Sequence, residues 1–222
     1  MHAHYKRLRG RIFVPSLESH LYLGHVVFLL VLMAYPILMA EFDVPLFVFT
    51  ILTAFYVLYS MILPEKLNIP MVVVGTIVII MLYFLDDQYD PGSSHYLIKS
   101  SLYLLFAVLM FASMLREIVY SEISLRFLYQ SIDCYLVLGL AFAFAFRTLH
   151  FTDARSFNFP IETDFNHLYL SFIVLSSVGL GDLVPTTLAA KAIVVLNGLF
   201  GQIYLAFFAA LIVGKFLAKS MK

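Results

Sequence analysis

Stretches of about twenty consecutive apolar residues recur along this chain, and that recurrence constrains its fold more than any other feature. A helix rises about 1.5 Å per residue, so about 20 residues cross the roughly 30 Å hydrocarbon core of a bilayer. Lipid offers backbone groups no hydrogen-bond partner, so each run predicts a transmembrane α-helix. Five runs come first: Leu21 to Ala40, Leu46 to Leu63, Ile69 to Leu85, Tyr96 to Leu115, and Ile132 to Leu149. A sixth, Leu188 to Leu217, follows, and polar or proline-bearing turns such as Glu41 to Pro45 and Asp86 to Gly92 separate the early ones. The expected class is therefore an all-α integral membrane protein with six transmembrane helices.

Composition agrees. Only 13% of the 222 residues are charged and 62% are hydrophobic, whereas a soluble domain carries roughly 25% charge. The formal net charge of zero suggests no nucleic-acid partner. The only cysteine, Cys134, has no partner for an internal disulfide and is expected as a buried thiol. Lys6, Arg7, Arg9 and Arg11 precede the first apolar run in the manner of a signal peptide, but that run is too long for a signal core and further spans follow it.

Basic residues set the orientation. With a cytoplasmic N-terminus, Lys6, Arg7, Arg9, Arg11, Lys66, Arg116, Arg126, Lys215, Lys219 and Lys222 lie inside, and only Lys99, Arg147, Arg155 and Lys191 lie at outer ends. Both termini are then cytoplasmic, in a multi-pass protein of the cell membrane surrounded by lipid.

Between the fifth and sixth runs, residues 148–185 hold a polar first half and an apolar stretch, Leu168 to Leu175, too short to span. Such a piece is expected as a re-entrant loop lining a pore or cavity. About Asp164 to Leu175 would form a half-helix entering from outside, with Glu162 or Asp164 near its start and its carbonyl end aimed at the membrane centre, where it favours a cation. The following string is Leu175-Ser176-Ser177-Val178-Gly179-Leu180-Gly181-Asp182-Leu183-Val184-Pro185. Gly179 and Gly181 alternate with Val178 and Leu180, as a row of backbone carbonyls facing one axis requires, because glycine alone takes the necessary angles cheaply. The side chains of Val178 and Leu180 would face away and wedge the strand, and the Ser177 hydroxyl would add a ligand at the cytoplasmic end. The alternative is that these glycines merely allow close helix packing.

On these residues the chain resembles the potassium-channel superfamily, whose signature is Thr-Val-Gly-Tyr-Gly-Asp. The resemblance covers residues 165–214, including Ser177 to Asp182, the exit Pro185-Thr186-Thr187-Leu188, and Gly201-Gln202-Ile203-Tyr204-Leu205-Ala206, which is similar to the inner helix of small bacterial channels. It implies potassium as permeant ligand at Ser177, Val178, Gly179, Leu180 and Gly181, with Ser176 and Asp182 supporting the filter and no other cofactor or catalytic activity. It also implies a homotetrameric pore, since one strand cannot encircle an ion. Ser177 stands where the family has Thr, and Leu180 where it usually has Tyr; some two-pore-domain relatives carry Gly-Leu-Gly in one repeat. The two departures leave open a monovalent cation channel that passes sodium as well as potassium.

The resemblance divides the chain into a cytoplasmic N-terminus (1–20), a four-helix domain like a voltage sensor (21–115), a linker (116–130) and a pore domain (131–222). The fourth run carries Lys99 as its only cation, which leaves no ladder of gating charges. Residues 116–130 would form an interfacial amphipathic helix, or else a cytoplasmic extension of helix four. Gly201, with Gly198 and Gly214 as further candidates, would be a gating hinge or a packing contact. Asn197 would face the cavity or bond a neighbouring helix. His95, His150 and His167 fall near the outer face, where they would either make conduction respond to pH or be ordinary loop residues, the latter being expected, and His2 and His4 lack further ligands for a metal site. No soluble ligand-binding domain is expected after residue 217. Against an intramembrane enzyme or transporter stands the lack of an HExxH motif, a paired-acid constellation or an inverted repeat; Asp133 is the one acid inside an apolar run.

Overall fold

The computed structural model describes residues 94–161 and 164–220, together with 23, 24, 26, 27, 30 and 31. Apart from those six residues of the first, the three apolar runs before residue 86 lie outside the described residues, and with them the count of six spans and most of the four-helix domain. The described part is helical: α1 (Ser94–Tyr120), α2 (Leu125–Thr152), α3 (Asp164–Leu175) and α4 (Leu188–Ser220). Three of these, over Leu97–Tyr120, Leu125–Thr152 and Leu188–Ala218, are long and apolar enough to cross a membrane. At 12 residues α3 is about 18 Å long and cannot.

The helices outrun the apolar runs that predict them, and this changes the linker. Residues 116–130 form no helix of their own: they comprise the last turn of α1, a tight elbow, and the first turn and a half of α2. Local chemistry at the elbow accounts for it. Ser124 in extended backbone caps α2, its hydroxyl accepting from the Phe127 N–H at 3.2 Å. The polar residues of the amphipathic pattern face each other across the bend: Gln130 Nε2 donates to Glu117 Oε2 at 2.6 Å and Arg126 lies 3.9 Å from the same oxygen. Lys215 of α4 donates to the carbonyl of Ile118 at 2.7 Å and to that of Ser121, and sits 4.8 Å over the Phe127 ring. These bonds satisfy carbonyls that the end of α1 leaves without helical partners.

One apolar cluster joins α1 to α2, with Phe106, Met110, Met114 and Ile118 against Phe127, Cys134, Val137 and Leu138, closed by Leu175 and Tyr204. Cys134 is buried there, as its apolar neighbourhood suggests. A second cluster of Phe146, Phe157, Phe159, Leu170 and Ala190 holds the other end of α2 against α3 and the start of α4. Polar bonds cross the same layers. Ser171 Oγ donates to the Gly139 carbonyl at 2.7 Å, Asn197 Nδ2 donates to the Ser171 carbonyl at 3.0 Å, and Tyr204 Oη donates to the Ser131 carbonyl at 2.6 Å. Asn197 is therefore engaged with a neighbouring helix.

Two glycines permit the close approach of α3. A methyl at Gly139 would meet the Phe172 ring at 2.3 Å, and one at Gly201 would meet the Leu175 carbonyl oxygen at 2.4 Å. The ring can swing aside; the backbone oxygen cannot without moving the end of α3. α4 runs unbroken through Gly201. Substituting Gly201→Ala is accordingly expected to destabilise the packed helices by about 1–3 kcal/mol, read as a lowered thermal midpoint of the purified protein in detergent. An unchanged midpoint would remove this packing role.

Candidate functional site

The site begins where α3 ends. Leu175 is fully buried, and from Ser176 the chain leaves the helix and folds back so that its N–H groups are taken up at once. Ser176 donates to Phe172 O at 3.0 Å, Ser177 to Val174 O at 3.0 Å, and Val178 and Gly179 both to Ile173 O at 2.9 and 3.0 Å. The last carbonyls of α3 are thereby capped by the very strand that follows. Among the described residues no hydrogen bond reaches the carbonyls of Ser177 to Gly181.

Backbone angles in that strand alternate in sign. Ser177 has φ 60°, Gly179 51° and Gly181 78°, while Val178 and Leu180 between them are not in the positive region. Alternation of left- and right-handed conformations turns successive peptide groups so that their like ends face one side, which is the geometry of a row of ligands for an ion. A Cβ added at Gly179 or Gly181 would meet nothing within 4 Å in the chain. Close packing within one subunit thus does not explain these two glycines, whereas their angles do. Ser177 shares the positive φ without being glycine, at a cost of order 1 kcal/mol, and the sequence carried no sign of it.

Side chains around the strand come from three elements. Ser176 Oγ donates back to Phe172 O at 2.6 Å, and Gln202 Nε2 of α4 donates to Ser177 Oγ at 2.5 Å. Tyr169 Oη of α3 donates to the Asp182 carboxylate at 2.8 Å, and the Asn158 side chain donates to the Asp182 carbonyl at 3.1 Å. Of these, Ser176, Ser177 and Asp182 are anticipated from the sequence; Tyr169, Asn158 and Gln202 are not. Val178 and Leu180 are 59% and 66% exposed, so the wedging expected of them is not supplied by their own chain.

Behind the strand, His150 and His167 are both buried at 1% exposure, not loop residues at the surface. The Nδ1 of His150 and the Nε2 of His167 are 2.9 Å apart, and the rings lie edge-on to Phe157 and Phe159. The pair ties the end of α2 to α3. Just outside, the Arg155 guanidinium holds the half-buried carboxyl of Asp153 below the usual carboxylate range through a 3.1 Å hydrogen bond. Side chains of Glu162, Asp164 and His95 lie outside the described residues.

Residues 134–218 match the model of a family described as ion channel, a match that covers less than half of the chain. No curated protein and no solved structure matches. The family match indicates an ion channel, and with three membrane-length apolar helices it indicates a membrane location. The matched stretch runs from the buried part of α2 through α3, the strand and nearly all of α4.

A buried hydrogen bond between two elements predicts a measurable loss. Replacing His150 with Leu removes one partner of the pair and is expected to cost about 1–3 kcal/mol, seen as a lowered thermal midpoint in detergent. A midpoint equal to that of the unaltered protein would show that the pair contributes nothing to holding α3.

Proposed function

We propose that this chain is one subunit of a homotetrameric, potassium-selective channel of the cell membrane. Potassium passes through a filter formed by Ser177, Val178, Gly179, Leu180 and Gly181 of four copies. The observation that carries this reading is the alternation of φ from Ser177 to Gly181, with the carbonyls of that stretch left open and the N–H groups of Ser177, Val178 and Gly179 engaged. A cation that sheds water needs several oxygens at once, and fixed carbonyls supply them without reorganising. Four copies are needed because one strand offers ligands on one side only. The exposed side chains of Val178 and Leu180 and the weakly buried α4, 17% buried over its most apolar window, suit packing against neighbouring subunits and lipid. The short α3 places its carbonyl end behind the filter, which favours positive charge on the axis.

The function is transport without catalysis, and no resident cofactor takes part beyond the permeant ion. Both termini are cytoplasmic in this reading, following the distribution of Lys and Arg. Lys99 is the only cation among the residues of α1 that lie in the apolar run, so little charge moves through the field when voltage changes. The proposed channel accordingly responds weakly to voltage.

The reversal potential of purified protein in planar bilayers, with potassium on one side and sodium on the other, tests the proposal over a wide range of voltage. A value near the potassium equilibrium potential, with an open fraction nearly independent of voltage, is expected. A value near zero with sustained current would replace it with a channel that passes sodium equally, the reading that Ser177 and Leu180 leave open. In Gly179→Ala the strained φ of 51° penalises the added methyl; potassium flux should vanish while the tetramer still elutes intact from a sizing column. Undiminished flux would sink the filter assignment.

A further inference from the structure

The loop between α2 and α3 lies against the exit of the proposed filter, and Asn158 makes three of the bonds between them. Its backbone N–H donates to Val184 O at 3.2 Å. Its side-chain Nδ2 donates to Asp182 O at 3.1 Å, and its Oδ1 accepts from the Val184 N–H at 2.8 Å. A primary amide carries donor and acceptor in one plane, so this side chain reproduces what a neighbouring peptide supplies in a strand pair. The pairing continues alongside: the Thr186 N–H donates to Ser156 O at 2.9 Å, the Thr186 hydroxyl donates to the Arg155 carbonyl, and Phe157 and Pro185 form an antiparallel bridge.

The loop itself is anchored. Phe157 and Phe159 are buried beside Phe146 and the His150–His167 pair, so Asn158 projects from a segment fixed on both sides. Asn158 is exposed and buries no apolar surface of its own. Its two bonds therefore add little to burying the core and act on the strand they reach.

We propose that Asn158 is a positioning residue that clamps the outer end of the filter, at Asp182 and Val184, in the ion-conducting conformation. The assignment rests on the filter reading above and gives it a point of control outside the filter. Carbonyl dipoles that share one axis repel each other when no cation lies between them, so a row of them tends to turn away as sites empty. The Gly181 carbonyl adjoins the clamped segment. Holding Asp182 and Val184 to a fixed loop resists that turning, and the resistance matters most when external potassium is scarce.

Planar-bilayer recordings of the full-length channel at high and low external potassium test the clamp. Asn158→Ala removes both side-chain bonds. Asn158→Asp is isosteric, keeps the acceptor for Val184 and sets an oxygen against the Asp182 carbonyl, so it carries the test if the alanine variant fails to assemble. In low external potassium the current of either variant should decay roughly tenfold faster than that of the unaltered channel, the scale of one or two amide hydrogen bonds. High external potassium should restore the slow decay. A residue that only stabilised the loop would lower the yield of tetramer without a potassium-dependent decay. Decay equal to the unaltered channel in low potassium, or acceleration by the same factor at both concentrations, would overturn the clamp alone. An unaltered protein that passes no potassium current, or flux that survives Gly179→Ala, would overturn the pore reading and the clamp with it.

Discussion

The rest of the described structure depends on how α3 is held. A helix of 12 residues is too short to cross a bilayer, and in the proposed pore its ends and the strand that follows would lie at a depth where water is scarce. Each neighbour therefore contributes something specific: α2 brings Gly139 to the Phe172 ring and its carbonyl to Ser171, and α4 brings Asn197 to Ser171 and the bare face of Gly201 to Leu175. The strand contributes too, since its first N–H groups close the carbonyls at the end of α3. Helix and strand are in this sense one unit, since the end of α3 takes its last hydrogen bonds from the strand.

The two ends of the strand are held differently. At the Ser177 end a single side chain of α4, Gln202, reaches the hydroxyl, so the position of that oxygen follows α4. At the Asp182 end the partners are Tyr169 on α3 and Asn158 on the preceding loop, both of which belong to elements packed on α2. Ser177 has no β-methyl to restrain its side chain, and the bond from Gln202 supplies that restraint instead.

Much of this was legible in the sequence. The bounds of α3 follow from an apolar stretch too short to span, opened by an acid, and the positive φ of Gly179 and Gly181 follows from their alternation with larger residues. What could not be read are pairings between residues far apart in the chain. Asn158 and Asp182, Tyr169 and Asp182, and Gln202 and Ser177 show no periodicity and no spacing rule, since each depends on how two elements dock. Periodicity also misled at residues 116–130, where the alternation of polar and apolar side chains reflects pairing across an elbow and not one face of a surface helix. His150 and His167 were hidden for a related reason: each in isolation suits an exposed loop, and only together, with two phenyl rings around them, do they suit a core.

Lys215 gives the elbow a mechanical meaning. Its ammonium holds the carbonyls of Ile118 and Ser121 and rests on the Phe127 ring, so the far end of α4 is stapled to the junction of α1 and α2. An ammonium in a partly buried setting loses heavily if it gives up its acceptors without reaching water. Bending or rotation of the last turns of α4 must therefore either drag the elbow along or carry Lys215 out to solvent. The two cases differ as a hinge pin differs from a latch: in the first, strain at one end of the helical assembly is transmitted to the other, and in the second it is released in one step.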